Sequence, residues 1–229
     1  MNITFIAPPA AGKGALSHLI YEEYGYPHVS IGDLLRNVDD EEVKKELEAG
    51  AFVDNKIVAK LLYNRLSKDD CLKGYVFDGF PRNLSQIDIY ENICHNSNLK
   101  NIIIVLDIPK EIGEKRITGR RVCSNCGKVY NVNIEERKPK VNKICDDCGQ
   151  ELTKRSDDNL ETYDHRFDVY MNETAPILSH YASSGKIYHV DGTKSLDEVF
   201  SSIKKIIEEN LWLVLKVMRR LNSLGLLEK

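Results

Sequence analysis

The chain has 229 residues, 42% of them hydrophobic and 29% charged, with a formal net charge of −3. That is enough for one large domain with an insert, and the charge gives no electrostatic reason to propose a nucleic-acid partner. No run approaches the roughly 20 apolar residues of a membrane span, and MNITFIAPPAAGKG lacks a basic region followed by a long apolar one, so the expectation is a cytoplasmic protein.

Short apolar runs alternate with helical patterns, which predicts a parallel sheet covered by helices. In chain order, strands are predicted over residues 2–7, 28–30, 75–78, 101–107 and 186–190. Helices are predicted near 13–24, 41–49, 57–66, 84–95, 110–121, 159–183 and 196–210. The alternation stops between Val122 and about Asp158. That stretch holds many charges and few large aliphatics, and reads as an insert between two helices of the main domain.

The first strand runs into Ala7-Pro8-Pro9-Ala10-Ala11-Gly12-Lys13-Gly14-Ala15, followed by a helix. A strand, loop and helix in this order can wrap phosphates with backbone N–H groups, the helix N-terminus and Lys13 adding positive charge. A merely structural turn is the other reading of the loop alone. The run Tyr75-Val76-Phe77-Asp78-Gly79-Phe80-Pro81-Arg82 would deliver Asp78 to the carboxyl edge of the sheet, where hydrated magnesium sits beside phosphates. Pro81 stiffens the next turn, and Arg82 can make a forked contact with an anion; a strand-to-turn boundary with a solvent-facing arginine is the other reading.

Arg116, Arg120 and Arg121 fall at one end of a predicted helix, with Arg155 and Arg166 beyond the insert. Arg116 and Arg120, four apart, are expected to share a helix face. Guanidinium groups converging from both sides of a flap suit a migrating phosphoryl group; a solvated charged face is the plainer alternative. Within the insert, Cys123, Cys126, Cys145 and Cys148 form two Cys-x-x-Cys knuckles, each followed by glycine. Four thiolates so paired match the tetrahedral demand of a structural zinc. Two disulfides or redox thiols are the other readings. Cys71 and Cys94 lie in apolar or helical settings and read as structural.

The ordered set of Ala11-Gly12-Lys13-Gly14, Ser30-Ile31-Gly32-Asp33-Leu34-Leu35-Arg36, Asp78-Gly79-Phe80-Pro81-Arg82 with Gln86, Gly119-Arg120-Arg121-Val122, the knuckles, Arg155-Ser156-Asp157-Asp158-Asn159 and Val190-Asp191-Gly192-Thr193 resembles the adenylate kinases, in the long bacterial-type form with a zinc-bearing lid. The resemblance runs from Met1 to about Asn210. It implies an α/β fold of the P-loop kinase type: a core over residues 1–121 and 159–210, an AMP-side helical segment at about 30–66, and a lid over 122–158. It also implies phosphoryl transfer between ATP and AMP to give two ADP, with magnesium. Ala10, Ala11, Gly12, Lys13, Gly14 and Ala15 would then hold ATP with Arg116 and Arg120. Ile31, Arg36, Gly79, Arg82, Gln86, Arg155 and Arg166 would hold AMP, Gln86 facing its adenine. Asp78 and Asp33 would organise the water shell of magnesium. Lys13, Arg82, Arg116, Arg120, Arg155 and Arg166 would act on the transferring group through positioning and charge. Zinc would be structural, holding the lid as one body.

The chain departs from the family in three loop positions, Ala7 and Ala10 for glycine and Ala15 for threonine, and in Ile31 for threonine beside the AMP base. These keep two alternatives open: a nucleoside monophosphate kinase of altered base preference, and a nucleotide-binding protein with impaired catalysis. If Ala7 or Ala10 needs a positive φ, the cost is about 1 kcal/mol or more.

Residues 211–229 form a further helical extension in which Leu211, Val214, Leu215, Met218 and Leu221 share one face. Packing on the main domain, a protein contact, and attachment to a membrane surface through Lys216, Arg219 and Arg220 are the three readings of it. A monomer is expected.

Overall fold

The computed structural model describes residues 1–49 and 51–223, with side chains as far as residue 216. Five parallel strands, β1 (Asn2–Ile6), β2 (His28–Ser30), β3 (Val76–Asp78), β4 (Asn101–Asp107) and β8 (Ile187–Asp191), make one sheet in the order β2-β3-β1-β4-β8. β1 and β4 are buried almost throughout, as a strand covered on both faces must be. One apolar cluster, containing Phe77, Phe80, Tyr90 and Ile103, lies on one side of the sheet; another, with Ile3, Leu16, Ile104 and Ile203, lies on the other.

The helices follow local signals. α1 (Lys13–Tyr24) stops at Gly25, which takes the left-handed conformation and donates its N–H to the Tyr21 carbonyl at 2.8 Å. α2 (Ile31–Arg36) starts at Ser30, whose hydroxyl accepts from the Asp33 N–H at 3.2 Å. This six-residue helix has too few turns to show a period in sequence. α3 (Glu41–Ala49), α4 (Asn55–Leu66) and α5 (Ile87–Asn96) complete the part of the chain before β4.

Two predicted helices are corrected by the structure. α6 spans Lys110–Gly119, and Arg120 is already extended at the start of β5 (Arg120–Cys123). Arg116 and Arg120 therefore do not share a helix face. The cause is Asn131, whose amide donates to the Arg116 carbonyl at 2.8 Å, while the Val132 N–H takes the Gly119 carbonyl at 2.9 Å. Helix-ending carbonyls are thus satisfied from outside. The helix predicted over 159–183 is broken into α7 (Leu160–Val169), a π-helical turn (Tyr170–Thr174) and α8 (Pro176–Tyr181). Pro176 has no N–H to continue an α-helical ladder. The wider turn instead joins the Ala175 N–H to the Tyr170 carbonyl at 2.8 Å and sends the Thr174 hydroxyl to the Arg82 carbonyl at 2.6 Å.

The insert is not without regular structure. β5 pairs antiparallel with β6 (Val129–Asn131) and β7 (Leu152–Thr153). Its small core is Cys123, Tyr130, Cys145 and Leu152, with Cys148 packed against it. Two of its four buried members are cysteines, so the thiols belong to what holds these strands together.

α9 runs unbroken from Leu196 to Ser223, so no boundary separates the predicted helix from the predicted extension over the described residues. Val199, Ile203, Ile207 and Asn210 are buried against the sheet. Leu211 still packs against that core, whereas Trp212, Leu213 and Leu215 are exposed and Lys216 lies 4.9 Å from the Trp212 ring centre. The side chains of Met218 and Leu221, assigned to the apolar face from sequence, lie outside the described residues. No helix among the described residues is long and apolar enough to cross a membrane.

The loop after β1 settles which alanine is strained. Ala10 has φ 61°, in the left-handed region, whereas Ala7 is not among the positive-φ residues. A side chain there costs roughly 1–2 kcal/mol, partly offset by the greater freedom that glycine brings to the unfolded chain. Ala10→Gly is therefore expected to stabilise the protein by about 1 kcal/mol, read as a higher urea midpoint at unchanged slope.

Candidate active site

A cavity of about 750 Å³ opens at the carboxyl ends of the strands, between the loop after β1, helices α2 and α3, and the sheet that carries the cysteine knuckles. This is where open parallel sheets bind ligands. Its lining includes the predicted Ala10, Ala11, Gly12, Lys13, Gly14, Ala15, Asp33, Arg36, Asp78, Arg82, Arg116, Arg120, Arg155 and Arg166. Three of the residues expected to contact nucleotide are not in that lining. Ile31 is buried behind Gly79, and Gly79 borders a smaller pocket of about 60 Å³ with Lys13, Arg82 and Arg166. Gln86 is buried, accepting from the Arg82 N–H at 2.8 Å and donating to the Asn55 side chain at 2.9 Å. In this geometry it braces the Arg82 backbone.

At the phosphate loop, Lys13 curls back so that Nζ donates to the carbonyls of Ala7 at 3.3 Å and Pro8 at 3.2 Å. It lies 3.8 Å from Asp78, which also contacts His28 Nε2 at 3.2 Å. Burial lowers the Lys13 pKa, and Asp78 opposes that shift. Burial alone would raise the pKa of Asp78, but the charge of Lys13 and the His28 contact hold it well below the ordinary carboxylate range. Asp78 is thus an anion fixed beside the only lysine of the loop. His28 was missed in sequence because a single histidine at a strand start carries no pattern of its own.

Four of the arginines are held by three carboxylates. Asp157, with a side chain 9% exposed, accepts from Arg166 at 2.8 Å and Arg36 at 3.3 Å. Asp33 accepts from Arg36 at 2.9 Å and Arg155 at 3.2 Å. Asp158, fully buried, takes a forked contact from Arg120, with Nε at 2.9 Å. Arg116 instead donates to the carbonyls of Gly192 at 2.8 Å and Ala11 at 3.4 Å. Burial, then repulsion from Arg82, lowers the Arg166 guanidinium to about 10. Burial would raise the Asp157 pKa, and the surrounding arginines, Arg166 foremost, bring it below its ordinary value. Asp157 and Asp158 stand in the motif that carried the resemblance, yet carboxylates between arginines read as solvated charge unless the fold is known to bury them.

The four knuckle thiols are not disulfide-bonded. Cys123 Sγ lies 3.4 Å from Cys148 Sγ, and Cys126 Sγ lies 3.6 Å from Cys145 and 3.7 Å from Cys148. All four sulfurs fall within 4.8 Å of one another. Four sulfurs about 2.3 Å from a central ion stand about 3.8 Å apart, so the set fits a tetrahedral metal and not paired disulfides. Burial would raise the Cys145 thiol, but the Tyr130 hydroxyl and the N–H groups of Cys148 and Asp147 bring it to about 6, favouring the thiolate a metal needs. Cys71 and Cys94 are buried in the main core, where burial pushes them up to about 11 and about 12.

The family model described as "Adenylate kinase" matches residues 5–186, most of the described chain. The chain belongs to the adenylate kinase family. Proteins named adenylate kinase from Thermoanaerobacter sp. (strain X514), Carboxydothermus hydrogenoformans and Thermodesulfovibrio yellowstonii are 37%, 38% and 39% identical to it over 214, 216 and 216 residues. These matches cover 90%, 91% and 91% of this chain and 98%, 100% and 100% of the relatives. About a tenth of this adenylate kinase family member thus has no counterpart in them.

The ion pairs at Asp157 give a pH dependence. Its folded pKa is depressed, so its stabilising contribution is complete above the unfolded value of about 3.9 and is lost as pH falls through the folded value. Asp157→Asn is expected to lower the melting temperature at pH 7, the gap from wild type closing below about pH 4 in melts recorded from pH 7 to 3.

Proposed function

We propose that the protein catalyses reversible phosphoryl transfer from ATP to AMP, giving two ADP, with the lid closing over the phosphates. One observation carries this reading: a phosphate-type loop, Asp78 and six arginines from separate parts of the chain (Arg36, Arg82, Arg116, Arg120, Arg155 and Arg166) line one cavity in a chain of the adenylate kinase family. The relatives' names favour it over an altered base preference and over a binder without catalysis.

In this reading Ala10–Ala15, Lys13 above all, hold the ATP phosphates with Arg116 and Arg120. Arg36 and Arg82 grip the AMP phosphate, and Arg155 and Arg166 close on the group in transit. Ile31, Gly79 and Gln86 complete the AMP site, Gln86 toward the adenine while its amide oxygen also braces the Arg82 backbone. Charge spreads over the equatorial oxygens in the transition state, so converging cations placed beforehand lower the barrier without a covalent intermediate. Lid closure would exclude the water that competes as acceptor. Magnesium would neutralise phosphate charge; Asp78, anionic and facing the cavity beside Lys13, fits a partner for its water shell. Asp33, already committed to Arg36 and Arg155, is the weaker second partner.

Zinc on the four cysteines is proposed as structural, because four protein ligands leave no open position.

Coupled detection of ADP from ATP, AMP and magnesium should show turnover, falling about a hundredfold or more in Lys13→Ala. ATP binding without turnover in the wild type would overturn the reading. Metal analysis should find one zinc per chain, and its removal should lower the melting temperature by more than it slows transfer at low temperature. Equal loss of rate and stability would contradict a purely structural ion.

A further inference from the structure

The cavity holds an arginine that neither the sequence pattern nor the family resemblance brings forward. Arg137 ends a short 3₁₀ turn (Glu135–Arg137) between the two zinc knuckles, half-buried, and lines the same cavity as the phosphate loop. The neighbouring lid lysines are occupied: Lys128 pairs with Asp147, and Lys138 with Glu135. Among the cavity arginines, Arg36, Arg120, Arg155 and Arg166 have carboxylate partners. Arg137 makes no ion pair or side-chain hydrogen bond among the described residues.

Its surroundings are unfavourable to an unpaired charge. Burial lowers its pKa, and the nearby guanidinium of Arg116 lowers it further. Arg116 itself is tied to carbonyls, one of them that of Ala11 in the phosphate loop. Two guanidinium groups thus line one cavity close enough to repel each other, and neither has a carboxylate paired with it among the described residues. Partly buried guanidinium groups are ordinarily paired. Here the missing partner is one that arrives.

We propose that Arg137 is a donor-nucleotide residue, engaging the phosphate chain of ATP together with Arg116 when the lid lies over the loop. This rests on the kinase reading, since it deepens the same site. It gives the 3₁₀ turn a purpose: the turn sets the guanidinium on the cavity side of the lid, and the knuckles on either side fix the turn to the lid sheet. A guanidinium suits the role because its fork can bridge two phosphate oxygens.

The test compares Arg137→Ala, Arg137→Lys and Lys140→Ala, the last an exposed lid charge outside the cavity lining. A charge-assisted contact to phosphate predicts about a tenfold rise in KM for ATP in Arg137→Ala. KM for AMP should stay within twofold, kcat should change less than KM for ATP, and Arg137→Lys should recover part of the loss. Lys140→Ala should leave both KM values unchanged. An unchanged KM for ATP in Arg137→Ala, a parallel rise for ATP and AMP, or an equal effect of Lys140→Ala would overturn the proposal. Titration with a non-hydrolysable ATP analogue separates it from the kinase reading. Should the wild type make no ADP, tenfold weaker analogue binding in Arg137→Ala would still support the contact, and equal binding would overturn it.

Discussion

The structure depends on concentrating positive charge in one cleft without that charge forcing the cleft apart. Seven arginines and Lys13 line a single cavity. Removing so many cations from water is costly, and each also repels the others. The chain answers with Asp33, Asp78, Asp157 and Asp158, each set within reach of one or two of the cations. These carboxylates tie the segment after the lid to the AMP-side helix α2 and to the start of β5. The network that moderates the charge is therefore also what joins these segments.

The sheet supports this arrangement by fixing where the pieces begin. β1 leads into the phosphate loop, β3 ends in Asp78, and β2 ends where Ser30 caps α2 and aims Arg36 inward. On the other side of the cavity the lid has only a thin apolar core, in which cysteines replace the aliphatics a larger sheet would use. Stability of the lid and geometry of the thiols are hence the same problem, and a tetrahedral ion would answer both.

Much of this was legible in the sequence because it is carried by local signals. The apolar runs marked all five strands of the main sheet, and the glycine-bearing knuckles marked the thiol cluster. What escaped depended on partners distant in the chain. α6 ends two residues early because Asn131 takes a carbonyl from it, and nothing near Gly119 in sequence announces that. The π-helical turn before Pro176 serves Arg82, more than ninety residues away. Asp157, Asp158, His28 and Arg137 gain significance only from burial, which a list of charged residues does not disclose. Gln86 shows the reverse case: the motif drew attention to it, and the fold turns its amide toward Arg82 and Asn55.

Asp157 has a consequence for ionic strength. The carboxylate already sits where Arg36 and Arg166 would meet a phosphate. In the proposed reaction an arriving phosphate would not fill an empty cationic pocket but exchange with an anion built into the chain. The count of ion pairs then changes little on binding, and few mobile counterions are released. Salt should accordingly weaken binding at these two arginines less than their formal charges suggest, and a displaced Asp157 would be a charge that the proposed lid closure has to place elsewhere.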